Sequence, residues 1–134
     1  MGETENLSVL GRFFDLWAEG VREIPSDLAH PGIEIVSPLA SVRGTPYRGY
    51  DGLREWISDV EEQFESWEYK LDEVREGTDP DTVVGLGGIH LVGRGSGVAI
   101  DQPAAWLVRF AADGRVRRVE VYTDQQEGLK RAGL

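Results

Sequence analysis

Apolar and polar residues alternate most regularly between Gly97 and Asp124. Val98, Ile100, Gln102, Ala104, Trp106, Val108 and Phe110 share one parity, which places them on one face of an extended strand. In a second run Val119 and Val121 alternate with Arg118, Glu120 and Tyr122. Ala111-Ala112-Asp113-Gly114 separates the runs, and Asp and Gly there suit the left-handed angles of a tight hairpin turn. A hairpin this long needs further strands or a helix against its apolar face to persist in water.

The preceding residues supply both. Leu10, Phe13, Phe14, Trp17 and Val21 recur at helical spacing, with Arg12, Asp15, Glu19 and Arg22 off the stripe. A first helix is therefore predicted, capped by Thr4 or Asn6 and ended by Pro25. Ser26-Asp27 caps a short helical turn running to His30, stopped by Pro31-Gly32. Residues 33–36 form a short strand, and residues 39–49 an irregular loop or ragged edge strand. Asp51 caps a long helix whose inward stripe is Leu53, Trp56, Ile57, Val60 and Phe64. Residues 67–75 alternate as a strand, 77–81 turn, 83–94 make a strand containing Gly87 and Gly88, and 93–97 lead into the hairpin. Residues 125–132 close the chain as a short helix. This order predicts one α+β domain over residues 1–134, with helices on one face of a curved antiparallel sheet.

Composition narrows the partners. At 134 residues and 40% hydrophobic, the chain is long enough for one core. Its formal net charge of −10 argues against nucleic acid, whose binders carry basic patches. The absence of cysteine removes disulfides and thiolate chemistry. No apolar run approaches the ~20 residues of a membrane span, and MGETENLS lacks the basic and apolar regions of a secretory signal. A cytoplasmic location without membrane contact is the expectation. Two histidines without an acidic cluster at ligand spacing argue against a metal site, and no cofactor is expected.

Four local sequences carry a family resemblance. They are Trp17-Ala18-Glu19-Gly20, Tyr50-Asp51-Gly52-Leu53-Arg54-Glu55-Trp56, Asp113-Gly114-Arg115-Val116, and Tyr122-Thr123-Asp124 before a Leu-x-x-Ala-Gly-Leu tail. In this order and spacing the chain resembles the SnoaL-like branch of the NTF2-like, or cystatin-like, superfamily. The resemblance implies an α+β cone in which a bent sheet wraps the first helices and leaves a pocket at its wide end. It also implies a homodimer formed through the outer sheet face. A small hydrophobic ligand is the implied partner, with Phe13, Trp17, Ser37, Tyr47, Trp56, Trp106 and Val119 lining its pocket. The superfamily spans isomerases, polyketide cyclases, hydrolases, dehydratases and plain binding modules, so fold alone assigns no activity.

Matching local motifs to the ketosteroid isomerases places Ser37 at the catalytic base, Phe13 at the oxyanion tyrosine and Trp106 at the oxyanion aspartate. All three roles are lost. An epoxide-hydrolase Asp-Arg-Asp set is also absent, because Asp101 and Arg109 lie eight residues apart on one strand, roughly 27 Å. The candidate catalytic residues that remain are His90 and Asp101. If the strands flanking Gly95-Ser96 pair about that turn, opposed positions sum to about 191, and His90 faces Asp101. Asp101 differs in parity from Trp106, which points the pair to the convex side. Glu34, flanked by Ile33 and Ile35, points to the surface by alternation. Three readings stay open: a hydrophobic-ligand-binding domain of unassigned activity, an acid/base enzyme of isomerase, cyclase or hydrolase type acting on a polycyclic or polyketide-like substrate, and a structural dimerisation module.

Overall fold

A computed structural model describes residues 3–18, 25–37 and 45–134, excepting the side chains of residues 3–7 and 17–18. The Trp17 side chain and Val21, the expected end of the first stripe, and residues 38–44 lie outside what the structure describes. Among the described residues three helices and six strands follow in the order α1 (Glu3–Ala18), β1 (Ala29–Val36), β2 (Tyr47–Arg48), α2 (Gly49–Gln63), β3 (Phe64–Glu76), β4 (Thr82–Gly93), β5 (Ala99–Phe110), β6 (Val116–Tyr122) and α3 (Gln125–Arg131). The strands form one sheet in the order β2-β1-β6-β5-β4-β3. Neighbours run antiparallel except β1 and β6, which are parallel.

Burial explains the sheet's two faces. Val83, Ala104, Trp106, Val108, Val119 and Ile35 share the inner face and pack against Leu10 and Phe13 of α1 and Leu53, Trp56, Ile57 and Val60 of α2. The outer face carries a second, smaller cluster of Val84, Leu86, Ala105 and Leu107, covered by Ala132 and Leu129 at the end of α3. The expectation that all helices share one face is therefore corrected. The closing helix sits on the opposite face because strands β4 and β5 are apolar in both parities there. Gly128 permits this contact, since a Cβ on it would lie 2.6 Å from the Ala105 Cβ.

Other boundaries move as well. The turn expected at 26–30 is only a turn at 26–28, and β1 already begins at Ala29 and runs through His30, Pro31 and Gly32. A register shift against β6 between Ala29 and Glu34 accommodates that Pro-Gly pair, which is where strands tolerate such residues. Helix α1 starts at Glu3, so Asn6 falls inside its first turns instead of capping it. Helix α2 starts at Gly49 with Arg48 at the cap position and no side-chain cap, leaving Asp51 in the first turn. Gly49 has φ of 71°, which lets the chain turn sharply from β2 into α2. Asp124 does cap α3, accepting from the Gln126 N–H at 2.9 Å. No described helix is long and apolar enough to cross a membrane.

Candidate functional site

The cone interior is lined by Leu10, Phe13 and Phe14 of α1, Ile35 of β1, Trp56 of α2, Tyr69 of β3, Trp106 and Val108 of β5, and Val116, Val119 and Val121 of β6. Helical spacing turns the α1 residues inward, and strand alternation does the same for every second residue of β5 and β6. The free space left is about 20 Å³, room for about one water molecule. Aromatic rings fill the remainder. Phe14 meets Trp106 edge-on with centroids 5.0 Å apart, Tyr69 lies 5.7 Å from Trp106, and Trp67 and Trp56 continue the row.

Trp106 is the pivot of this wall. It is 2% exposed, and its Nε1–H is a buried donor with no acceptor among the described residues. Gly85 lies opposite it on β4 and makes room for Leu71, because a Cβ there would lie 2.7 Å from Leu71 Cδ1 while meeting Trp106 Cε3 at an ordinary 3.8 Å. The other two buried donors without partners, Thr82 Oγ1 and Arg109 Nε, face each other across β4 and β5 on the outer side.

Four of the residues expected to line the pocket, Phe13, Trp56, Trp106 and Val119, meet around this space. Ser37 and Tyr47 do not. Ser37 follows β1 and borders a surface cleft with Glu120, Tyr122, Asp124 and Glu127. Tyr47 is buried on the edge strand, where its hydroxyl donates to Asp59 Oδ2 at 2.6 Å and ties β2 to α2. Sequence reading missed the lining role of Phe14, Tyr69 and Val121, although each has the right parity or helical phase for it.

His90 and Asp101 stand opposite each other on β4 and β5, with Nδ1 and Oδ1 2.5 Å apart. They lie on the outer face beside Glu68, Lys70, Gly88 and Pro103, around a shallow depression of about 360 Å³. The hydrogen bond to Asp101 and its charge raise the His90 pKa above 6.5, with Glu68 adding to the effect. The Asp101 side chain is 82% exposed, so water is not excluded from the pair. Glu34 also faces outward, accepting from Arg48 Nε at 3.0 Å and Arg118 at 3.1 Å. No carboxylate or histidine lines the cone among the described residues. No group of three or more His, Asp or Glu side chains among them is arranged to hold a metal ion.

Comparison with known proteins fits this geometry. The SnoaL-like domain family matches residues 10–119. An NTF2-like protein of unknown function from Burkholderia pseudomallei K96243 superposes with a TM-score of 0.78 at 18% identity, covering 94% of this chain and 95% of that one. A protein from Jannaschia sp. CCS1, assigned provisionally as a SnoaL-like polyketide cyclase, gives 0.74 at 22% identity, covering 93% and 89%. TerC, co-crystallised with polyporic acid, gives 0.70 at 19% identity, covering 97% and 99%. At these identities the likeness is one of fold. No curated protein matches the sequence. An α+β cone closed by aromatic side chains, matched along most of its length by one family, places this chain in the SnoaL-like family of NTF2-like proteins.

Proposed function

We propose that the protein is a binding domain for a small hydrophobic ligand, held in the cone without acid/base chemistry. The observation that carries this reading is the division between the two faces of the sheet. The space inside the cone is lined by aliphatic and aromatic side chains, while the His–Asp pair sits on the other face of the sheet. General acid/base catalysis needs a titratable group within hydrogen-bond reach of the reacting atom, and the described lining holds no carboxylate or histidine. Enclosed apolar sites with few polar groups bind by burial.

Thermal unfolding with a panel of one- and two-ring aromatic compounds, and with polyporic acid, tests the reading. A ligand present at about 100 times its Kd stabilises by about 2.7 kcal/mol, which raises Tm by on the order of 10 °C. The rise is expected to survive His90→Ala. Absence of any rise, or its loss in His90→Ala, contradicts the proposal.

A homodimer through the outer face is part of the same proposal. The depression at Gly88 and Pro103, flanked by His90, Asp101, Glu68 and Lys70, gives a second copy a surface with both charge signs for self-complementary pairing. Sedimentation is expected to show a dimer that Gly88→Arg converts to monomer. A monomeric wild-type protein would contradict it.

A further inference from the structure

We infer that association of two copies through the outer face is linked to a proton on His90: the protonated ring, set between Glu68 and Asp101, favours the dimer, and the neutral ring opposes it. The inference rests on the dimer reading above and names how that interface is regulated. Three strands place the titratable groups in one row. Glu68 on β3 stands opposite His90 on β4, and His90 stands opposite Asp101 on β5. Opposed residues of antiparallel strands share a face, with Cβ atoms about 4.5–5.5 Å apart. All three border the depression that gives the second copy its contact surface.

The charges around His90 decide the sign. From β3 it is faced by Glu68 and, one step along the same face, by Lys70, which stands opposite Gly88. From β5 it is faced by Asp101, with the uncharged Ala99 and Pro103 on either side. Helix α3 approaches through the uncharged Gln125, which donates to the Gly87 and Ala104 carbonyls. Two carboxylates against one ammonium leave the row with excess negative charge, and Lys70 is shared with Asp72, 3.7 Å away. A second copy brings a second such row into a space with less water, where like charges repel and a carboxylate without a counter-charge is costly to bury. Protonated His90 supplies that charge, and its Nδ1–H donates to Asp101 Oδ1 at 2.5 Å. The hydrogen bond and charge of Asp101, then Glu68, already raise the His90 pKa in the single chain, and the second copy's carboxylates raise it further. Association therefore takes up protons. It is fully favoured below the single-chain pKa and is lost as pH rises through the higher pKa of the dimer.

Sedimentation equilibrium at about pH 6 and about pH 9, on either side of the His90 titration, tests the inference. The wild-type dimer is expected to be about ten-fold tighter or more at the lower pH. The His90 side chain is 41% exposed in the single chain, so substitutions there leave the core untouched. His90→Gln is expected to associate weakly and equally at both pH values. His90→Arg, which stays charged throughout, is expected to associate tightly at both. Equal wild-type affinity at the two pH values, or tighter association at the higher one, would overturn the proton link and leave the dimer standing. A His90→Gln protein that keeps the wild-type pH dependence would overturn it as well, since the proton would then sit elsewhere. A wild-type protein monomeric at both pH values would overturn the link and the dimer together.

Discussion

Gly87→Ala is expected to lower stability by about 3 kcal/mol, among the largest losses any single methyl group can cause here. An ideal Cβ on Gly87 would lie 1.8 Å from the Lys70 carbonyl oxygen, 2.9 Å from its carbon and 3.2 Å from the Asp72 nitrogen. All three are backbone atoms, so no side-chain rotation relieves the clash. The β3–β4 ladder shifts register between Leu71 and Glu73 at this point, and the added methyl forces the strands apart or removes the irregularity that bends the sheet. Gly87 has no positive φ, so the cost is one of space. Gly88→Ala is the control. Its Cβ meets nothing closer than the Gln102 carbonyl oxygen at 3.5 Å, and the change is expected to cost less than about 1 kcal/mol. Urea unfolding of the two variants measures the difference. A Gly87→Ala protein within about 1 kcal/mol of wild type would show that the two strands do not approach as described.

Trp106→Ala is expected to cost about 3–5 kcal/mol, the range for removing a large buried aromatic side chain. The indole touches Phe14 and Tyr69 and walls the cavity, and neither neighbour can fill the void without leaving its own contacts. Trp106→Phe should cost far less, below about 1.5 kcal/mol, because most of the ring volume stays. It also deletes a buried N–H that has no acceptor among the described residues, so no hydrogen bond to them is lost. Denaturant unfolding of both variants separates the volume of the indole from its polar atom. Equal losses in the two variants would mean that Nε1 has a partner in the folded protein.

Much of the sheet was legible in the sequence. The position of Gly95-Ser96 set the β4–β5 register, and pairs from Val92–Ala99 to Thr82–Arg109 all sum to 191, His90–Asp101 among them. Parity then placed that pair outside and Trp106 inside, which holds because one-residue register and facing are rigidly coupled in a strand. The position of α3 was harder to read. Its signal was present in residues 83–86 and 104–108, which are apolar in both parities, the pattern of strands covered on both faces. Helix starts were misplaced where an acidic residue near the N-terminus stood in the first turn, as Asp51 does. Both positions suit a carboxylate near the positive end of the helix dipole, so composition does not separate them. The cavity's small size had no sequence signal, because it depends on how Phe13, Phe14 and Trp106 interlock across α1 and β5.

Where an aromatic ligand binds is the most direct test of the account. Methyl resonances divide into an inner set, from Leu10, Ile35, Val108, Val116, Val119 and Val121, and a set away from the cavity, including Val98 and Ile100, which are 57% and 43% exposed. Titration with acetophenone, followed by methyl chemical shifts, is predicted to move the inner set together and leave the others in place. Shifts confined to the exposed set, or to residues around His90 and Asp101, would contradict a ligand site in the cone.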